Sequence, residues 1–225
     1  MASVQVEDKP KSKFSAERRD ELQRIRDKRR AGIPILRLHH HAIRTDDMEA
    51  TRVFYEDILQ LPMVHTMKMA IDPTNGKPTP YVHCFFELAD GAAIAFFLTP
   101  HRDKAPLTPQ DAFDHHFAVK VASFEQLSSI RKRFDERKYP NCGINHGFCY
   151  SLYVRDPNNM LVEIVADPID ELEMNERYAA EAHKEWLSWT SGDHSHNEED
   201  YSSVFYPWPN SSVEEMNRVL PADRT

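Results

Sequence analysis

The chain has 225 residues, 40% of them hydrophobic, and a net charge of −8, which is enough apolar material for one two-module domain plus extensions. The acidic balance argues against general nucleic-acid binding, and no apolar run approaches the ~20 residues of a membrane-spanning helix. The first ten residues lack the basic-then-apolar order of a secretory signal, and Cys84, Cys142 and Cys149 form neither an even framework nor a CxxC pair, so reduced thiols in a cytoplasmic protein are expected.

Residues 14–31 are locally basic but interleaved with Glu17, Asp20, Glu21 and Asp27. Ser15 is placed to cap a helix, and Phe14, Leu22 and Ile25 give it a thin apolar stripe. This pattern predicts a solvated helix resting on a neighbouring subunit, and hence a homo-oligomer, rather than a nucleic-acid arm.

A strand-like run over residues 35–45 ends at Asp46-Asp47, where Asp47 caps a helix with apolar residues at helical spacing through Leu59. β-type runs follow at Met63–Met69, Tyr81–Glu87 and Ala92–Leu98, the last two joined through Asp90-Gly91. The order then repeats. Residues 114–122 read as a strand, Ser123 as a cap, residues 124–134 as an amphipathic helix, and Cys142–Asn145, Phe148–Val154 and Met160–Val165 as three further strands. Asp156-Pro157-Asn158-Asn159 is the second hairpin turn.

The expected fold is therefore α+β, two tandem βαβββ modules (35–100 and 114–167) forming a half-open barrel within a domain at 35–167. A charged extension with a helix occupies 1–34. Residues 168–225 hold a C-terminal amphipathic helix over Ile169–Ser188 and an acidic tail, read as an extended wrap or a partly disordered segment, with Phe205, Tyr206 and Trp208 implying at least one docking point.

Equivalent positions in the two modules can be compared directly. His40 lies seven residues before Asp47, and His116 lies seven before Ser123, so the two imidazoles are a matched pair. Glu163 follows the turn residue Asn159 by four, whereas the residue four after Gly91 is Ala95. Two histidines and one carboxylate on separate strands suit a divalent metal bound on one face, with the opposite positions open to ligand and oxygen. An unpaired carboxylate inside the apolar run Met160–Val165 would be strongly disfavoured, so Glu163 needs a cation.

The runs His40 to Tyr55 and His116 to Phe134, together with Tyr153-Val154-Arg155-Asp156-Pro157-Asn158-Asn159-Met160-Leu161-Val162-Glu163, resemble the vicinal oxygen chelate superfamily. That group includes glyoxalases, extradiol ring-cleaving dioxygenases, epimerases and metal-free antibiotic-binding proteins. The resemblance implies one cavity lined by both modules. Glyoxalase-like members usually present four protein ligands, and alanine at position 95 leaves three here, His40, His116 and Glu163. This resembles the extradiol order of ligands and implies Fe(II), with Mn(II) favouring an overlapping set.

The same resemblance implies an active-site role for Tyr153, ten residues before Glu163, and general acid–base duty for His146. Strict alternation turns His39, His41 and His115 away from the face of His40 and His116. Doubled histidines in hydroquinone-cleaving relatives nonetheless imply that His39 and His115 lie near the substrate. Of the paired aromatics Phe85-Phe86 and Phe96-Phe97, one member of each faces an aromatic-accepting pocket, and Phe97 is assigned to it. His65 and His83 read as strand or surface residues, His101 as an exposed loop residue, and His194 and His196 as tail residues outside the ligand set.

The expected activity is ring cleavage of a catechol or hydroquinone-type substrate with dioxygen. Two alternatives remain open at this point: a metal-dependent isomerase or lyase of glyoxalase type, and a non-catalytic small-molecule binder of the same fold.

Overall fold

A computed structural model describes residues 14–33, 35–71, 73, 76–99, 115–195 and 210–220. The expected α+β architecture is present as two four-stranded open sheets. The first contains β1 (His40–Arg44), β2 (Met63–Ile71), β3 (Pro78–Glu87) and β4 (Ala93–Leu98) in the order β1-β4-β3-β2. The second contains β5 (Phe117–Lys120), β6 (Asn141–Asn145), β7 (Tyr150–Arg155) and β8 (Leu161–Ala166) in the order β5-β8-β7-β6. In each sheet the first strand runs parallel to the last and the other pairs are antiparallel.

The helices begin where the sequence placed them. In α2 (Met48–Arg52) the Asp47 carboxylate accepts from the Ala50 amide at 2.9 Å, and in α3 (Phe124–Glu136) the Ser123 hydroxyl accepts from the Gln126 amide at 3.3 Å. Each cap satisfies an amide that has no partner within the helix. The first helix then widens into a π-helical segment, Val53–Ile58, closed by the Leu59 amide bonding to the Phe54 carbonyl at 3.1 Å. This places Phe54, Tyr55 and Ile58 fully inside the core.

One apolar core joins the modules. Phe54 from the first helix stacks near Phe134 of α3 with ring centroids 5.6 Å apart, and Tyr55 lies 4.8 Å from Phe96 of β4. The even-numbered residues of β3, β4, β7 and β8 face this core, among them Phe86, Ile94, Leu152 and Ile164. The odd-numbered residues face away, and these faces carry the chemistry.

A polar lock reinforces the junction. The buried Asp156 carboxylate accepts from the Tyr55 hydroxyl at 2.9 Å and from the Asn158 and Met160 amides at 2.8 Å each. Asn158 Nδ2 in turn donates to Thr51 Oγ1 at 3.2 Å. The second hairpin turn is thus tied to the first module's helix, and burial raises the Asp156 pKa while its donors oppose that rise.

Three expectations are adjusted. The first strand starts at His40 rather than at residue 35, because β4 begins at Ala93 and offers no partner further back, which leaves Ile35, Leu36 and Leu38 exposed. The basic helix α1 (Ala16–Arg30) packs on α4 (Glu171–Thr190) of its own chain. Arg18 pairs with Glu173 at 3.1 Å, Arg29 with Glu176 at 2.6 Å, and Leu22 is buried. The tail contains α5 (Val213–Val219), opened by a Ser212–Glu215 capping box and seated on β6 and β7 through the buried Val219. The expected docking residues Phe205, Tyr206 and Trp208 lie outside the described residues.

Candidate metal centre

The outward face of the second sheet gathers its polar side chains around Glu163. Register pairs Glu163 of β8 with Tyr153 of β7 on one side and Ala118 of β5 on the other, and His116 stands two residues before Ala118. Glu163 is 6% exposed. Its Oε2 lies 3.0 Å from His116 Nε2, while its Oε1 accepts from the Tyr153 hydroxyl at 3.0 Å and also from the Ser151 hydroxyl.

The line continues outward. His146 Nε2 lies 3.0 Å from the Tyr153 oxygen. A phenol has one proton, so with that proton directed at Glu163 the same oxygen accepts from His146, which fixes the protonated nitrogen as Nε2. Burial holds the His146 pKa below the usual histidine range against the pull of Glu163, consistent with a neutral ring in this tautomer. Burial first, and then the charge of Glu163, raise Tyr153 above the ordinary tyrosine range. His146, Tyr153 and Glu163 form a directed chain ending at the carboxylate.

His40 occupies the matching place in the first sheet. Ala42 pairs with Ala95, as Ala118 pairs with Glu163, so His40 corresponds to His116 and Ala95 to Glu163. The registers also align Phe85 with Tyr153 and His83 with Ser151. His40 stands beside His39, with their Nδ1 atoms 2.8 Å apart, and its ring is 5.5 Å from Phe85 and 6.0 Å from His83. Among the described residues of one chain, no three His, Cys, Asp or Glu side chains are close enough to hold a metal ion. The single chain therefore gathers His116 and Glu163 but not His40, which remains on the other sheet.

The remaining expected residues divide. His39 accompanies His40, whereas His115 turns to His41, with ring centroids 5.7 Å apart, on the side opposite His116. Phe97 shares the His83 face. His101 and His196 lie outside the described residues. Two residues of interest were not assigned to the site by sequence: Ser151, which donates to Glu163, and His83, read as a strand or surface residue, which lies on β3 and is buried. Both share strand parity with residues already selected, Tyr153 and Phe97, and that parity was the available signal.

The donor pair fits a metal. Two ligand atoms about 2.1 Å from an ion and at right angles to one another stand roughly 3 Å apart, as in an octahedral cis pair. The 3.0 Å between His116 Nε2 and Glu163 Oε2 is a hydrogen-bond distance that is also compatible with such a pair. His116 immediately precedes β5, the strand beside β8 that carries Glu163, and Ser151 and Tyr153 hold the second carboxylate oxygen, which orients the first.

Residues 37–164 match the Glyoxalase/Bleomycin resistance protein/Dioxygenase superfamily, and the chain belongs to it. Solved structures of similar fold include a glyoxylase/bleomycin resistance protein/dioxygenase domain from Frankia sp. EAN1pec, 15% identical, covering 59% of this chain and 98% of that one with a TM-score of 0.48. A glyoxalase/dioxygenase from Nostoc punctiforme is 22% identical over 61% of this chain and 95% of its own, with a TM-score of 0.43. The fosfomycin resistance protein FosX from Listeria monocytogenes, complexed with Mn(II) and sulfate ion, is 20% identical over 62% and 97%, with a TM-score of 0.43. No curated protein matches.

Proposed function

We propose that the protein is a non-haem Fe(II)-dependent extradiol-type dioxygenase that cleaves a catechol or hydroquinone-type ring with dioxygen. The observation that carries this reading is the buried Glu163 carboxylate, with one oxygen 3.0 Å from His116 Nε2 and the other at the end of the His146–Tyr153 chain. His116 and Glu163 would hold the ion, and His40 is the third ligand. Since one chain does not gather all three, His40 comes from a second copy, which accords with a homo-oligomer.

When bound, the metal supplies Lewis acidity that lowers the pKa of a substrate hydroxyl, and a redox centre for dioxygen. The residues of the chain do the rest. Ser151 and Tyr153 occupy Glu163 Oε1 with hydrogen bonds, so Oε2, beside His116 Nε2, is the oxygen that would hold a metal. Tyr153 presents a phenol whose proton would pass toward a substrate oxygen, and His146 behind it would replace that proton from Nε2 as its Nδ1 takes one up, so that the ring ends neutral. Ala95, where Glu163 stands in the other sheet, supplies no fourth ligand, so positions on the metal would remain open to a bidentate substrate and dioxygen.

The test is aerobic incubation of iron-loaded protein with a panel of catechols and hydroquinones, following oxygen uptake and new near-ultraviolet absorbance. Uptake stoichiometric with ring opening is expected. Absence of uptake with every member would replace this reading with a metal-dependent isomerase or lyase, and failure to retain any divalent metal would replace it with a small-molecule binder.

A further inference from the structure

The outward face of the first sheet carries a ring cluster that the proposed chemistry leaves unused. His83 of β3 lies against Phe97 of β4, with centroids 3.6 Å apart and planes 19° from parallel, and 4.2 Å from Phe85. Tyr81 meets Phe97 edge-on at 5.7 Å, and His65 of β2 stacks on Phe85 at 5.4 Å. The face is continuous with His40, whose ring touches Phe85.

His83 is the anomaly in this cluster. It is 4% exposed, yet its Nε2 is buried without a hydrogen-bond partner. Rings cover its faces, and none of them offers an acceptor or donor to that nitrogen. Buried polar atoms are nearly always paired, so an orphan on the face that bears a proposed metal ligand calls for a partner from outside the chain. A neutral imidazole offers one donor and one acceptor nitrogen, and Nε2 can serve in either role toward a ligand oxygen.

We propose that this cluster is the seat for the substrate's aromatic ring and that His83 Nε2 hydrogen-bonds an oxygen substituent of that ring, which makes His83 a specificity-determining residue. The inference rests on the aromatic substrate of the proposed function. Because His40 and His83 share one face, whichever copy delivers His40 to the ion delivers this seat with it. The aromatic floor accepts any six-membered ring by stacking, and the orphaned nitrogen selects rings that bear a hydroxyl over hydrocarbon rings of the same shape.

The test uses the full-length protein loaded with Zn(II), which is redox-silent and diamagnetic, and two probes of matched shape, hydroquinone and p-xylene. Hydroquinone is expected to shift the imidazole nitrogen resonances of His83 in long-range 1H–15N spectra. His83→Phe, which preserves a ring against Phe97, should weaken hydroquinone binding about tenfold while leaving p-xylene binding unchanged. His83→Gln, which keeps a donor and an acceptor, should recover most of the hydroquinone affinity. Unmoved His83 resonances on saturation, equal hydroquinone affinity in His83→Phe, or no hydroquinone binding at all would each overturn the proposal. His83-dependent binding without oxygen uptake by the iron-loaded protein would remove the dioxygenase reading and leave the seat standing. Uptake that His83→Phe leaves unchanged would do the reverse.

Discussion

The two sheets share a strand order and a register, but their equivalent outward positions hold different chemistry. Where the second sheet has Glu163, Tyr153 and Ser151 in hydrogen-bond contact, the first has Ala95, Phe85 and His83. One half concentrates charge and protons at a buried carboxylate, and the other stacks rings around a neutral imidazole. The backbone plan fixes where side chains meet, and three differences on that plan separate a hydrogen-bonded carboxylate from a stacked ring cluster.

This contrast can be broken most severely at the carboxylate. Glu163→Ala and His116→Ala should each abolish metal retention and cut turnover on the order of a thousandfold or more, read by metal content and oxygen uptake. Ala95→Ser, at the equivalent position of the first sheet, should leave metal content unchanged. Loss of metal from Ala95→Ser would show that the sheets are not functionally unequal.

The common core predicts that the sheets lose stability together. Phe54→Ala should cost about 3–5 kcal/mol, and both sheets should still melt in one transition by near-ultraviolet and far-ultraviolet dichroism. Two separated transitions would mean the modules are independent. Tyr153→Phe should slow turnover about a hundredfold while sparing the metal, which separates proton handling from ion binding. At the junction, Tyr55→Phe removes one donor from Asp156 and should lower stability by about 1–3 kcal/mol, measured by denaturant unfolding.

Much of this arrangement was legible in the sequence. The seven-residue spacing from His40 to Asp47 and from His116 to Ser123 marks equivalent strand positions, and both caps form as expected. The even separation of Tyr153 and Glu163 across a regular hairpin became a direct pairing. What sequence periodicity cannot show is which faces meet. Asp156 reads as an ordinary turn residue, because its partner Tyr55 is 101 residues away. The run Ser212-Val213-Glu214-Glu215 has the spacing of a capping box, but it lies in an acidic, proline-bearing stretch whose composition masks a short helix. His40 carried the same strand signal as His116, yet alternation within each sheet says nothing about whether two sheets of one chain turn their outward faces to the same point.

The seating of the tail has a consequence for assembly. β6 is the outermost strand of its sheet, and residues 210 and 211 occupy its free side: the Ser211 amide donates to the Gly143 carbonyl at 2.9 Å, and Asn210 Oδ1 accepts from the Asn145 amide at 2.6 Å. A border satisfied in this way has no vacant rungs for another strand to dock on. β2, the outermost strand of the other sheet, carries exposed Val64, Met69 and Ile71. Lateral growth of a shared ribbon between molecules is thereby blocked along the β6 rim, while the β2 rim presents apolar side chains beside its free edge.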